Sequence, residues 1–76
     1  MNNNRRKHIN DVMEQLNILL TEIEEIKDEE QEAYDNLPES LQDGDKGEKM
    51  SEAVGNLEYA YDGLTEVLDY LDSAKE

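Results

Sequence analysis

Apolar residues that return every seven positions restrict a chain to few architectures. One such series, Met50, Ala53, Val54, Leu57, Ala60, Tyr61, Leu64, Val67, Leu68, Leu71 and Ala74, runs without a break. A helix advances about 100° per residue, so this 3-4 spacing gathers the side chains on one stripe. An earlier series, Ile9, Val12, Met13, Leu16, Leu19, Leu20, Ile23 and Ile26, closed by Tyr34, does the same. Two long amphipathic helices are therefore predicted. The periodicity decides the fold class, because composition alone would suit a disordered chain: 21 of 76 residues are acidic, 7 are basic, and aromatics make up 5%.

The helices are expected over about 4–34 and 46–75, as one domain spanning 1–76 with a flexible start at 1–4 and a hinge at 35–45. Pro38 lacks an N–H and pushes Leu37 toward extended conformations, so the first helix should stop near Tyr34. Pro38-Glu39-Ser40-Leu41 reads as a short turn with Pro38 at its first helical position. Gly44 and Gly47 loosen the chain, and Asp45 with Glu48 three residues later reads as a capping box, with Asp43 a competing cap. Equal helices joined by a short linker favour an antiparallel hairpin. That arrangement sets basic Arg5, Arg6 and Lys7 beside acidic Asp69, Asp72 and Glu76.

Each stripe is wider than a two-position coiled-coil seam, with Met13 and Leu20 broadening the first and Val54, Tyr61 and Leu68 the second. One partner helix cannot cover that width. A lone core of this size supplies only about 3–5 kcal/mol, and small scaffolds usually add a staple. The chain has no cysteine to make one. The expectation is an all-α hairpin that assembles as a four-helix bundle dimer or a higher homo-oligomer. Ile18, Tyr59 and Tyr70 fall off the stripes, and Gly63 lies near the tyrosines in angle. A second interface is one reading of that set, since glycine admits close approach and tyrosine favours contact sites. Isolated exposed apolar side chains are the other.

Catalytic chemistry has little to work with. His8 is the only histidine, so neither a Ser/His/Asp set nor a histidine metal cluster can be built within one chain. The acids stack at helical spacing but lie on polar faces and lack the Glu-x-x-His pattern of di-metal bundles. Asp43-Gly44-Asp45 starts as a calcium loop does, yet Val54 stands where the closing glutamate belongs. No enzyme, metal or cofactor is expected. The longest apolar run is three residues, against roughly 20 for a bilayer span, and no apolar stretch follows the positive start as a secretory signal requires. A net charge of −14 opposes direct binding of nucleic acid or an anionic membrane.

What the charge does favour is a basic partner. Glu22, Glu25, Asp28 and Glu29 on the first helix, with Glu58, Asp62 and Glu66 on the second, include like charges four residues apart, which cost a free helix a few tenths of a kcal/mol each. Stability alone does not select them. An acidic rod can occupy a basic protein groove as DNA phosphates would, with fast, salt-sensitive association. A solvated face that keeps an apolar bundle soluble accounts for the same pattern. At the hinge, Tyr34, Asn36, Ser40, Gln42 and Lys46 combine an aromatic face, amides, a hydroxyl and a cation, a set suited to a nucleotide signal molecule. A capped turn, with Asn36 and Ser40 satisfying helix-end groups, explains them equally.

The hinge Glu32-Ala33-Tyr34-Asp35-Asn36-Leu37-Pro38-Glu39-Ser40-Leu41-Gln42, followed by Lys46-Gly47-Glu48, resembles that of small acidic helical-hairpin proteins encoded by tailed phages and prophages. The chain departs from their pattern in having Lys46 in place of an arginine and a longer loop. The resemblance implies a phage accessory protein in the cytoplasm of a bacterial host. By that implication it binds and blocks a host factor, such as a component of antiviral defence. A sponge for a nucleotide immune signal and an assembly or scaffold protein are the alternatives.

Overall fold

The computed structural model describes residues 1–76 and is entirely helical: α1 spans Asn3–Asp35, α2 is one turn at Glu39–Gln42, and α3 spans Asp45–Ala74. The two long helices pack antiparallel as a rod 58 × 15 × 12 Å across its Cα atoms. Asn2 opens α1, its side-chain oxygen accepting from the Arg5 N–H at 2.8 Å. Ahead of Pro38 the helix ends at Asn36, whose N–H donates to the carbonyls of Glu32 and Tyr34.

Three details of the hinge differ from expectation. Pro38 is the N-cap of α2 with extended ψ, not its first helical residue, and its carbonyl accepts from both Leu41 and Gln42. Asp43 caps the end of α2, not the start of α3. Gly44 is the N-cap of α3, so no capping box forms. Asp45 is already helical and cannot reach back as a cap. It stays in the first turn with Glu48, where negative charge opposes the free N–H groups favourably.

The shielded side chains trace a seam that alternates by four and three residues. On α1 it passes through Ile9, Met13, Leu16, Leu20 and Ile23, then through polar Lys27 and Glu30 to Tyr34. On α3 it runs from Gly47 through Met50, Val54, Leu57, Tyr61, Leu64, Leu68 and Leu71 to Lys75. Met13, Leu20, Val54, Tyr61 and Leu68 therefore form the seam instead of broadening it. Leu19, Ile26 and Val67 are left outside at 49%, 52% and 44% exposure. The reason is geometric: two helices share only one line of contact, and the line through Leu68 excludes its neighbour Val67. The core is thin, with Leu68 at 8% exposure its one buried apolar side chain. Lys27 offsets its place in the seam by holding its ammonium 5.8 Å from the Tyr61 ring centroid.

The far ends also meet, though not as carboxylate pairs. Arg6 donates from Nε to the Lys75 carbonyl at 2.7 Å and from its terminal nitrogen to the Glu76 main-chain oxygen at 3.4 Å. The guanidinium thus caps the free carbonyls ending α3 instead of pairing with Asp69, Asp72 or Glu76. The ion pair that does form joins Lys75 to Asp72 at 3.3 Å, within the same helical end.

Candidate functional site

Lys75 defines one side of the hairpin. Its ammonium donates to Asn10 Oδ1 at 2.7 Å while pairing with Asp72, which places Asn10 and Asp72 on the same flank. Steps of seven residues extend that flank through Asn17, Glu24 and Gln31 on α1 and Thr65 and Glu58 on α3. It is polar throughout. Asp28 and Asp62 border it on the outer side.

The seven acids singled out above are all exposed, but they do not form one patch. Glu58, Asp62 and Asp28 belong to the polar flank. Glu25 and Glu66 point outward from opposite helices, and Glu22 and Glu29 lie toward the other flank of α1. Glu24 was not among them, although its spacing from Asn10 and Asn17 sets it on the same flank as Glu58. Half-buried Glu30, in the seam, was also missed.

Charge separates along the rod instead of around it. The hinge half, residues 22–62, holds fifteen acids and three bases, a net −12, whereas the terminal half holds six acids and four bases, a net −2. No carboxylate of the hinge half is ion-paired. Over half of the 58 Å length this is roughly one net negative charge per 2.4 Å, near the one per 1.7 Å of duplex DNA.

The hinge itself forms an open groove of about 450 Å³ lined by Tyr34, Gln42, Asp43, Gly47, Glu48, Ser51 and Glu52. Of the five residues considered for a nucleotide, only Tyr34 and Gln42 line it; Asn36, Ser40 and Lys46 do not. Three carboxylates in the lining oppose a phosphate. Gln42 is already occupied, its amide nitrogen donating to the carbonyls of Tyr34 at 3.1 Å and Leu37 at 3.2 Å. It therefore satisfies the end of α1, the task assigned above to Asn36 and Ser40. Gly47 does not loosen the loop: it is buried in the first turn of α3, and a methyl group there would lie 2.6 Å from Gln42 Cα and overlap its carbonyl oxygen. No three acidic or histidine side chains converge with metal-holding geometry.

Tyr59 and Tyr70 stand on the outer face of α3 at 77% and 75% exposure. A shallower groove of about 380 Å³ runs beside Tyr59 along Glu52, Gly55 and Asn56. Gly63 has open space where a side chain would project. Ile18 lies on the outer face of the other helix and does not join them. No helix is long and apolar enough to cross a membrane. No protein-family model, curated protein or solved structure matches the chain.

Proposed function

We propose that this chain is a non-enzymatic binding protein whose hinge half occupies a basic surface of another protein, working as a homo-oligomeric four-helix bundle. The unpaired net charge of −12 over residues 22–62 carries the reading. Charge packed at nearly the density of duplex DNA competes for the same lysine and arginine surfaces and steers association over a Debye length of about 8 Å at physiological salt. Thin burial along the seam supports assembly, because a hairpin with one buried apolar side chain has little core of its own. The hinge resemblance points to a bacterial host factor, a defence component, as the blocked partner, and so to the host cytoplasm as the place of action.

The test is reversal of Glu25, Glu29, Asp62 and Glu66 to lysine. All four are exposed. Although positions 25/29 and 62/66 stay like-charged, the new lysines oppose the unchanged acids Glu22, Asp28, Glu32 and Glu58 at helical spacing, so the helices lose nothing by the change. The wild-type protein, immobilised and challenged with bacterial host lysate, is expected to retain proteins that excess duplex DNA displaces. The reversed variant should retain none of them. Retention that ignores both DNA and the reversal would sink the proposal.

A second reading, assembly through the tyrosine face, is favoured by the exposure of Tyr59 and Tyr70 beside open Gly63. It requires self-association that falls when both tyrosines become alanine.

A further inference from the structure

The spacing that threads the seam leaves a second apolar line on each long helix: Val12, Leu19 and Ile26 on α1, and Ala53, Ala60 and Val67 on α3. Each precedes a seam residue by one position, whereas Asn10 and Asp72 follow seam residues, Ile9 and Leu71, by one. The two sets therefore lie on opposite flanks of their helices. In an antiparallel pair, turning one helix end for end brings like flanks to the same side, as the shared contact of Asn10 and Asp72 with Lys75 shows for the polar flank. The apolar lines must then adjoin as well. They form one strip along the hairpin, opposite its polar flank.

The rod exposes enough area for a second copy to cover the strip. The chain exposes 5790 Å², where a compact protein of 8.8 kDa exposes about 4,800 Å². The surplus of about 1,000 Å² exceeds the roughly 800 Å² per partner of a standard interface. Charge decides how a second copy sits. Two hairpins with hinges at the same end would set −12 beside −12. End over end, each hinge half lies beside a terminal half of −2. Arg5, which continues the α1 line seven residues before Val12, and His8 beside it then lie level with the stretch of the other copy around Glu29, which borders the strip toward its other end.

We infer that a second copy of this chain covers the strip end over end, about a two-fold axis near Leu19. Each α1 then runs antiparallel to the α1 of the other copy, with the hinges at opposite ends. This rests on the assembly reading above and adds to it the face and the orientation. It leaves the polar flanks and the outer faces of both hinge halves uncovered.

The experiment combines sedimentation with a spin-label distance. Leu19→Glu places a charge in the strip, and Ile18→Glu places one on the outer face of the same helix. Both positions are exposed in the single hairpin, at 49% and 63%, so any loss of hairpin stability is matched between them. The expected result is a wild-type dimer, a dimer for Ile18→Glu, and a dissociation constant raised about 100-fold or more for Leu19→Glu. The chain has no cysteine, so Glu39→Cys labels the hinge uniquely. At about 1.5 Å per residue, end-over-end seating puts the two labels about 50 Å apart or more, and same-end seating leaves them within about 30 Å. Equal responses at Leu19 and Ile18 overturn the strip. A dimer with the short distance overturns the orientation alone. A wild-type monomer overturns the assembly reading together with this inference, while reversal of Glu25, Asp62 and Glu66 alone, none of which borders the strip, still tests the basic partner separately.

Discussion

Gly47 is where one added methyl group should cost the most. The glycine lies in the first turn of α3 against the backbone of Gln42, so a β-carbon would overlap the Gln42 carbonyl oxygen and sit 2.6 Å from its Cα. Backbone cannot rotate away as a side chain can. Overpacking of this kind typically costs about 1–3 kcal/mol. If Gln42 shifts to relieve it, the two hydrogen bonds that it donates to the carbonyls of Tyr34 and Leu37 are lost as well, at about 1 kcal/mol each. Alanine returns about 1 kcal/mol of helix propensity. The net expectation is a loss of about 2–4 kcal/mol. With a urea slope of about 1 kcal/mol/M for a small protein, the midpoint should fall by about 2–4 M. Helical circular dichroism against urea measures this, at one fixed protein concentration because the midpoint of an oligomer depends on it. Gly55→Ala is the internal control: nothing lies within 4 Å of the new methyl group, so it should gain about 1 kcal/mol. A Gly47→Ala midpoint at or above that of the wild type refutes the close-contact argument.

Other consequences follow from the same geometry. Gln42→Ala leaves two carbonyls at the end of α1 without their side-chain donor, so hinge amides should exchange about tenfold faster, for a loss of about 1–2 kcal/mol. Arg6→Ala removes the cap on the end of α3, and hydrogen exchange should show fraying at Ser73 to Glu76 with the hinge unaffected. Raising sodium chloride from about 10 to 300 mM should raise the thermal midpoint, since the screened interaction is self-repulsion by a net charge of −14; a falling midpoint would mean that attractive pairs dominate.

Much of the architecture was legible because it is periodic. Helix positions and lengths followed from the 3-4 spacing and from Pro38, and the ends lie within a residue or two of expectation. The seam was legible only in part. Ile26 fits the stripe of α1 as well as Lys27 misfits it, yet Lys27 is half-buried and Ile26 is 52% exposed. An isolated helix offers a broad arc, and a partner chooses one line within it. The acidic set was legible as composition but not as a patch, since its division between the polar flank, the outer faces and the other side of α1 depends on the rotation of each helix about its axis.

The amino-acid order alone determined that this protein is two amphipathic helices broken at Pro38, with its negative charge crowded toward the hinge, because period, proline geometry and charge are local properties of the chain. Tertiary structure decided which apolar residues meet. It assigned Gln42 to the end of α1 and gave Gly47 a packing role, both through contacts across the hinge. It also turned Asn10 and Asp72 to one flank and the line through Leu19 and Val67 to the other. Those outcomes depend on how two helices rotate and register against each other, which only their mutual packing sets.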